Sequence, residues 1–116
     1  MSVVMIIDFK DNQVEEQLYP ITGQKTFHDY WEPIAQELGL TMVSQWASKG
    51  LFLDDNSEKV EQLTRELIRL RDYLRDSKKD IPEWAVHHML EKSENLIQKM
   101  LFIQENIEKI QSISIV

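Results

Sequence analysis

The residue types best suited to chemistry lie in one short segment, EWAVHHMLEK, at positions 83–92. His87 and Glu91 are four residues apart, so a helix would place both side chains on one face. On that helix His88 would point about 100° away from His87. A catalytic zinc ion needs three converging protein ligands, and the remaining histidine, His28, belongs to a distant segment. We therefore predict histidines on a helix surface, with no metal site and no cofactor.

Other combinations that support catalysis lack the arrangement that the chemistry requires. The serines do not occur in a GxSxG frame, and the three glycines are too scattered to form a phosphate-binding loop. Paired acids occur at Glu15-Glu16 and at Asp54-Asp55, but adjacent carboxylates in predicted loops are usually solvated. The sequence therefore predicts a protein that is not an enzyme.

The composition is that of one globular domain covering residues 1–116. Hydrophobic residues make up 42% of the chain and charged residues 28%, which is an ordinary balance for a folded protein. The sequence contains no cysteine, which suits a reducing compartment. The apolar run at residues 2–7 is short and has no basic lead, so we expect neither a signal peptide nor a membrane span. Together these features predict a cytoplasmic protein.

The net charge of −7 is concentrated in the N-terminal half of the chain. Residues 1–56 contain nine acids and three lysines, whereas residues 57–116 contain eleven acids and ten bases. A negative field repels phosphate backbones, so we expect no binding to nucleic acid. The same field would attract a basic protein partner, although solubility alone explains the charge equally well.

A small sheet is predicted from apolar segments that include both ends of the chain. The run SVVMIIDFK, residues 2–10, is rich in β-branched residues and predicts a buried or near-central strand. SISIV, residues 112–116, alternates with a period of two, which favours a strand over a continued helix. This strand could pair with residues 2–9. Between them, residues 51–53 predict a brief strand and residues 42–46 a loop or short strand.

The middle of the N-terminal half predicts the first of three helices. Residues 13–24 read as a loop, or as a short edge strand that ends before Pro20. The apolar spacing in residues 26–38 predicts a helix that ends at Gly39, where a left-handed residue suits a helix terminus. Pro33 would remove a hydrogen bond inside this helix, so its first turn could be separate.

Two longer helices follow. Asn56 or Ser57 is positioned to cap the second helix, and the third helix is expected to begin at Asp80 with Pro82 in its first turn. Acids such as Glu66 interleave with the bases of the second helix, which predicts a solvated face and not a phosphate-binding groove. We expect its apolar stripe to pack inside the molecule, with a homodimer through the stripe as the alternative. The stripe consists of Val60, Leu63, Leu67, Leu70 and Leu74.

One aromatic residue and two acid pairs are candidates for binding a partner. Trp46 lies in the connection SQWASKG, and the acids Asp54 and Asp55 follow shortly after it. An exposed tryptophan beside acids would form a good hot spot for a basic protein, but burial of Trp46 in the core is the favoured interpretation. We name Trp46, Asp54, Asp55, Glu15 and Glu16 as the candidate partner-binding residues.

The order of these elements resembles that of the small α+β immunity proteins of bacterial polymorphic-toxin systems. The resemblance covers most of residues 26–116. It rests on FHDYWEPIAQELG, on the connection SQWASKG, on EQLTRELIRLRDYL and on a last helix that closes into SISIV. It implies a protein that binds a cognate toxin and blocks the toxin's active site, without catalytic residues of its own. The alternatives are a structural or regulatory interaction module, which could be a homodimer, and then a small enzyme.

Overall fold

A four-stranded antiparallel sheet joins the two ends of the chain. The computed structural model describes residues 2–76 and 80–116. The strand order across the sheet is β2-β1-β4-β3. The strands are β1 (Ser2–Phe9), β2 (Gln17–Gly23), β3 (Leu51–Phe52) and β4 (Ile110–Ile115). The predicted pairing of the N-terminal strand with the C-terminal strand is confirmed, since Met5 lies opposite Ile115 and Ile7 opposite Ile113.

Three helices pack against this sheet, and two of them are long, which confirms the predicted α+β fold. Helix α1 covers residues 24–38 and changes its hydrogen-bond pattern along its length. It consists of the α-helical turn Gln24–Thr26, the π-helical segment Phe27–Trp31 and the α-helical segment Glu32–Leu38. The long helices are α2 (Ser57–Arg75) and α3 (Glu83–Glu105). No helix within the described ranges combines the length and the apolar composition that a membrane span requires.

The proline inside α1 is accommodated by a change of helix type instead of a break. The N–H of Glu32 donates to the carbonyl oxygen of Phe27, five residues back. Pro33, which has no N–H to donate, then occupies the first turn of the final α-helical segment. Gly39 ends the helix with a φ of 70°, a conformation that glycine adopts without steric cost.

The ends of the long helices follow from their local sequence. The side chain of Asn56 accepts hydrogen bonds from the N–H groups of Glu58 and Lys59 at 3.0 and 3.2 Å, so Asn56 is the N-cap of α2. The expectation that Asp80 starts α3 is wrong, because the helix begins at Glu83. Pro82 is extended, with φ −56° and ψ 141°, and the residue before a proline disfavours the helical conformation.

Strand β2 continues through Pro20 to Gly23, so the prediction that it ends before the proline is wrong. Val4 lies opposite Pro20, and Val4 exchanges hydrogen bonds with Val116 on its other side at 2.8 and 3.0 Å. The peptide groups of Val4 therefore face away from Pro20. An N–H group at residue 20 would likewise point away from Val4, out of the sheet. Because β2 is an edge strand, the proline removes no ladder hydrogen bond.

A buried carboxylate anchors the segment between α1 and β3. Residues 42–46 are not a strand, since they contain the 3-10 helix Val43–Gln45. Glu66 of α2 is 8% exposed, and its Oε1 accepts from the N–H groups of Met42 at 3.0 Å and Val43 at 3.1 Å. The expectation that Glu66 lies on a solvated face is therefore wrong, because its carboxylate satisfies the free donors at the start of this short helix.

One hydrophobic core joins the inner face of the sheet to the helices. The stripe of α2 is part of it, and each of its five side chains is at most 2% exposed. These side chains pack with buried residues of α3 such as Met89 and Met100. The alternative of a homodimer through this stripe is therefore wrong, because the stripe is already covered within the monomer. A homodimer through another surface stays a prediction.

Candidate protein-binding face

The side of the sheet that faces away from the core carries apolar side chains. Successive side chains of a strand point to opposite faces, so Val3, Met5 and Ile7 enter the core while Val4 and Ile6 point outward. The side chains on this outer side, which we call the open face, are half-buried or exposed. Its apolar members are Val4, Ile6, Leu18, Pro20, Phe52 and Val116.

Strand register makes these side chains one continuous band. Ile6 lies between Leu18 and Ser114, and Phe52 lies on the other side of Ser114. The next row contains Pro20, Val4 and Val116. Leu18 is 59% exposed, Phe52 56% and Val116 45%. Contiguous apolar surface of this kind on a monomer often marks an interaction site.

The two predicted acid pairs lie at one end of the same sheet. Glu15 and Glu16 directly precede β2, while Asp54 and Asp55 follow β3 after one residue, Leu53. The antiparallel register places the start of β2 beside the end of β1, and β3 ends in the same direction as β1. Three strand spacings separate β2 from β3, so the two pairs are about 14 Å apart.

A third element adds negative charge between the two pairs. Asp8 lies on the open face of β1, and the hydroxyl of Ser112 donates to its Oδ2 at 3.5 Å. Asp11 lies just beyond the end of β1. We call this group the acidic end of the sheet. Its members are Asp8, Asp11, Glu15, Glu16, Asp54 and Asp55.

The carboxylates of the acidic end have no ion-pair partner within the described part of the chain. Acids on the helical side differ, since Glu61 pairs with Arg65 at 3.3 Å and Glu94 with Arg75 at 3.0 Å. The separation of about 14 Å between the acid pairs exceeds the Debye length of about 8 Å at physiological salt. The pairs therefore act as two local negative patches on either side of Asp8.

Trp46 does not belong to this surface, and the hypothesis of an exposed hot spot at Trp46 is wrong. Its side chain is 1% exposed. Its ring lies 5.6 Å from the ring of Trp31 and 6.0 Å from that of Phe27. The favoured interpretation, in which Trp46 closes the core, is correct, because the 3-10 helix before it is fixed against α2 by Glu66.

One histidine of the opening segment, His88, packs between α3 and β2, whereas His87 is exposed on the surface of α3. The Nε2 atom of His88 lies 2.8 Å from the hydroxyl of Thr22, and the imidazole stacks edge-on against Trp31 at 6.0 Å. Burial lowers the pKa of His88, the charge of Lys92 lowers it further, and Glu91 opposes both. Among residues 2–76 and 80–116 no three His, Cys, Asp or Glu side chains form a group that could hold a metal ion.

The apolar half of the site was missed at the level of the sequence, although β1 contains a signal for it. A strand with one buried face usually alternates apolar and polar residues. Val4 and Ile6 are apolar at the positions that alternate with the core residues of β1. Leu18 and Phe52 give no such signal, because they join the band only through strand pairing.

Comparisons with known proteins add no relative to this picture: no protein-family model, no curated protein and no solved structure matches the chain. The open face and the acidic end are therefore interpreted from their own geometry and charge.

Proposed function

We propose that this chain is an immunity protein that binds a basic bacterial toxin and neutralises it by covering the toxin's active site. The observation that carries the proposal is the apolar band of the open face, bordered at the acidic end by carboxylates without an ion-pair partner among residues 2–76 and 80–116. An apolar centre with a charged rim is the usual composition of a protein–protein interface. The resemblance in element order to immunity proteins supports the same function.

The two parts of the face would have different roles in binding. Leu18 and Phe52 are each more than half exposed, so a partner that covers them would gain roughly half of the ~1.5–3 kcal/mol that full burial of such a side chain provides. The carboxylates of the acidic end would instead raise the rate of encounter with a basic surface. The chain would act by occlusion in the cytoplasm and would contribute no catalytic step.

The proposal is tested by protection of cells. A toxic domain encoded beside this chain should stop growth when it is expressed alone, and co-expression of the chain should restore growth. Leu18→Ser together with Phe52→Ser should abolish protection, while Leu101→Ser should not. Leu101 is a suitable control because it is 44% exposed and lies on α3, outside the open face.

Two results would contradict the proposal. Full protection by the Leu18→Ser, Phe52→Ser variant would remove the open face from the interface. Growth that this chain never restores would favour a regulatory interaction module, which could use the same face for a basic partner that is not a toxin. Thermal melts of each variant separate loss of binding from loss of folding, since exposed positions contribute little to stability.

A further inference from the structure

The edge of the sheet formed by β3 presents a peptide unit that pairs with no other strand in the described part of the chain. The N–H of Leu53 donates to the carbonyl oxygen of Ile113 at 2.9 Å, and Phe52 lies opposite Ser114. In an antiparallel ladder, residues that exchange hydrogen bonds alternate with residues that do not. Leu51 and Leu53 therefore bond toward β4, whereas the N–H and C=O groups of Phe52 point outward to the free edge.

The opposite edge of the sheet is protected in a way that β3 is not. Pro20 has no N–H, and its nitrogen faces the free side of β2, as its pairing with Val4 shows. An irregular register between Val3 and Val4 also bends β2 at this point. Proline and bulges are features by which edge strands avoid pairing with another chain. The short strand β3 contains neither, and its outward side chain is the exposed Phe52.

The surroundings of β3 leave room for another strand, and two acids beyond the end of β3 would attract a basic one. A groove of about 440 Å³ runs beside the strand, with Gly50, Leu51 and Phe52 on one side and Gln45 and Lys59 among its other lining residues. The acids Asp54 and Asp55 follow the strand after Leu53, and both are exposed.

We propose that an extended, basic segment of the partner protein pairs with β3 and adds a fifth strand to the sheet. This inference rests on the proposed function only in requiring a protein partner. One peptide unit of the segment would donate to and accept from the Phe52 backbone. Its side chains on the open face would continue the row of Leu18, Ile6, Ser114 and Phe52, and a neighbouring lysine or arginine would reach Asp54 or Asp55.

A synthetic strand tests this pairing without knowledge of the natural partner. The probe is a nine-residue peptide of alternating valine and lysine, blocked at both ends and added to the isotope-labelled full chain. Nuclear magnetic resonance should show that hydrogen exchange of the Phe52 amide slows by about tenfold or more on binding. The same peptide with an N-methyl group on every backbone amide keeps its charge and side chains but has no backbone N–H to donate on either edge, so it should leave this exchange rate unchanged.

A pair of variants separates the backbone contact from the aromatic side chain. Both Phe52→Pro and Phe52→Val remove the aromatic ring. Phe52→Pro also removes the outward N–H, whereas Phe52→Val retains it. The proline variant should bind the peptide about tenfold more weakly than the valine variant, because only the valine variant keeps the outward donor. Thermal melts of both variants check the fold.

Three results would overturn the inference. The first is a hydrogen-exchange rate of the Phe52 amide that does not change on peptide addition, and the second is equal affinity for the N-methylated and unmethylated peptides. The third is protection of that amide in the free protein by a second copy of the chain, which sedimentation would detect. Failure of the proposed function would look different. If Phe52→Pro weakens binding of a natural partner while removal of the acidic-end charges does not, the added strand would be supported and electrostatic capture would be refuted.

Discussion

Replacement of Glu66 by alanine should destabilise the fold much more than its place among the charged residues of α2 suggests. Its carboxylate accepts from the N–H groups of Met42 and Val43 at 3.0 and 3.1 Å in a buried site. A buried donor that loses its partner costs about 1–3 kcal/mol. Two such donors, less the relief from removing a buried charge, give an expected loss of ~2–5 kcal/mol in the free energy of unfolding.

Urea denaturation at neutral pH measures this loss, and two further variants define its origin. Glu66→Gln keeps an oxygen that can accept from both N–H groups but loses the negative charge that strengthens these bonds, so it should lose roughly half as much as the alanine variant. Glu61→Ala is the matched control, because Glu61 lies on the exposed side of the same helix in a surface pair with Arg65 and should cost about 0–1 kcal/mol. A loss below about 1 kcal/mol in Glu66→Ala, or an equal loss in the glutamine variant, would refute the anchoring role.

Three other variants test the core and the histidine contact. Leu67 is fully buried, so Leu67→Ala should cost ~2–5 kcal/mol in urea denaturation, and a loss under ~0.5 kcal/mol would mean that the α2 stripe does not pack as described. Trp46→Ala should cost ~3–5 kcal/mol, and an unchanged melting temperature would place Trp46 outside the core. Because burial lowers the pKa of folded His88 below its usual 6.5, the unfolded chain binds the proton first as pH falls. Stability should therefore decrease below about pH 6.5, His88→Gln should flatten this decrease between pH 7.5 and 5.5, and an identical pH profile in the variant would refute the buried-imidazole interpretation.

Periodicity and capping residues were sufficient to predict the main elements of the fold. The stripe of α2 and its cap at Asn56 appear in the structure as the spacing indicates, because both depend on residues within one turn of each other. The alternating C-terminal segment forms β4 for the same reason. The extent of β2 was predicted wrongly, because the tolerance for Pro20 depends on a position at the sheet edge that the local sequence does not determine.

The candidate site could be predicted only in part. The acid pairs were identified from their adjacency, but their common location at one end of the sheet depends on strand order. Glu66 was assigned to solvent because the N–H groups that donate to its carboxylate, those of Met42 and Val43, lie more than twenty residues away in the sequence. Phe52 was not identified, since its open backbone groups follow from the register of β3 with β4.

The proposed capture of a toxic partner by the acidic end is tested most directly by association kinetics at two salt concentrations. The binding variant is Asp54→Asn with Asp55→Lys, since Asp54 has a φ of 52° that asparagine also tolerates. The control is Asp72→Asn with Asp76→Lys, which makes the same charge change at the far end of α2, about 27 Å along the helix. We predict an association rate reduced about tenfold at low salt, with weaker salt dependence, in the binding variant alone. Equal association rates in the two variants, with both melting temperatures unchanged, would contradict electrostatic capture at the sheet end.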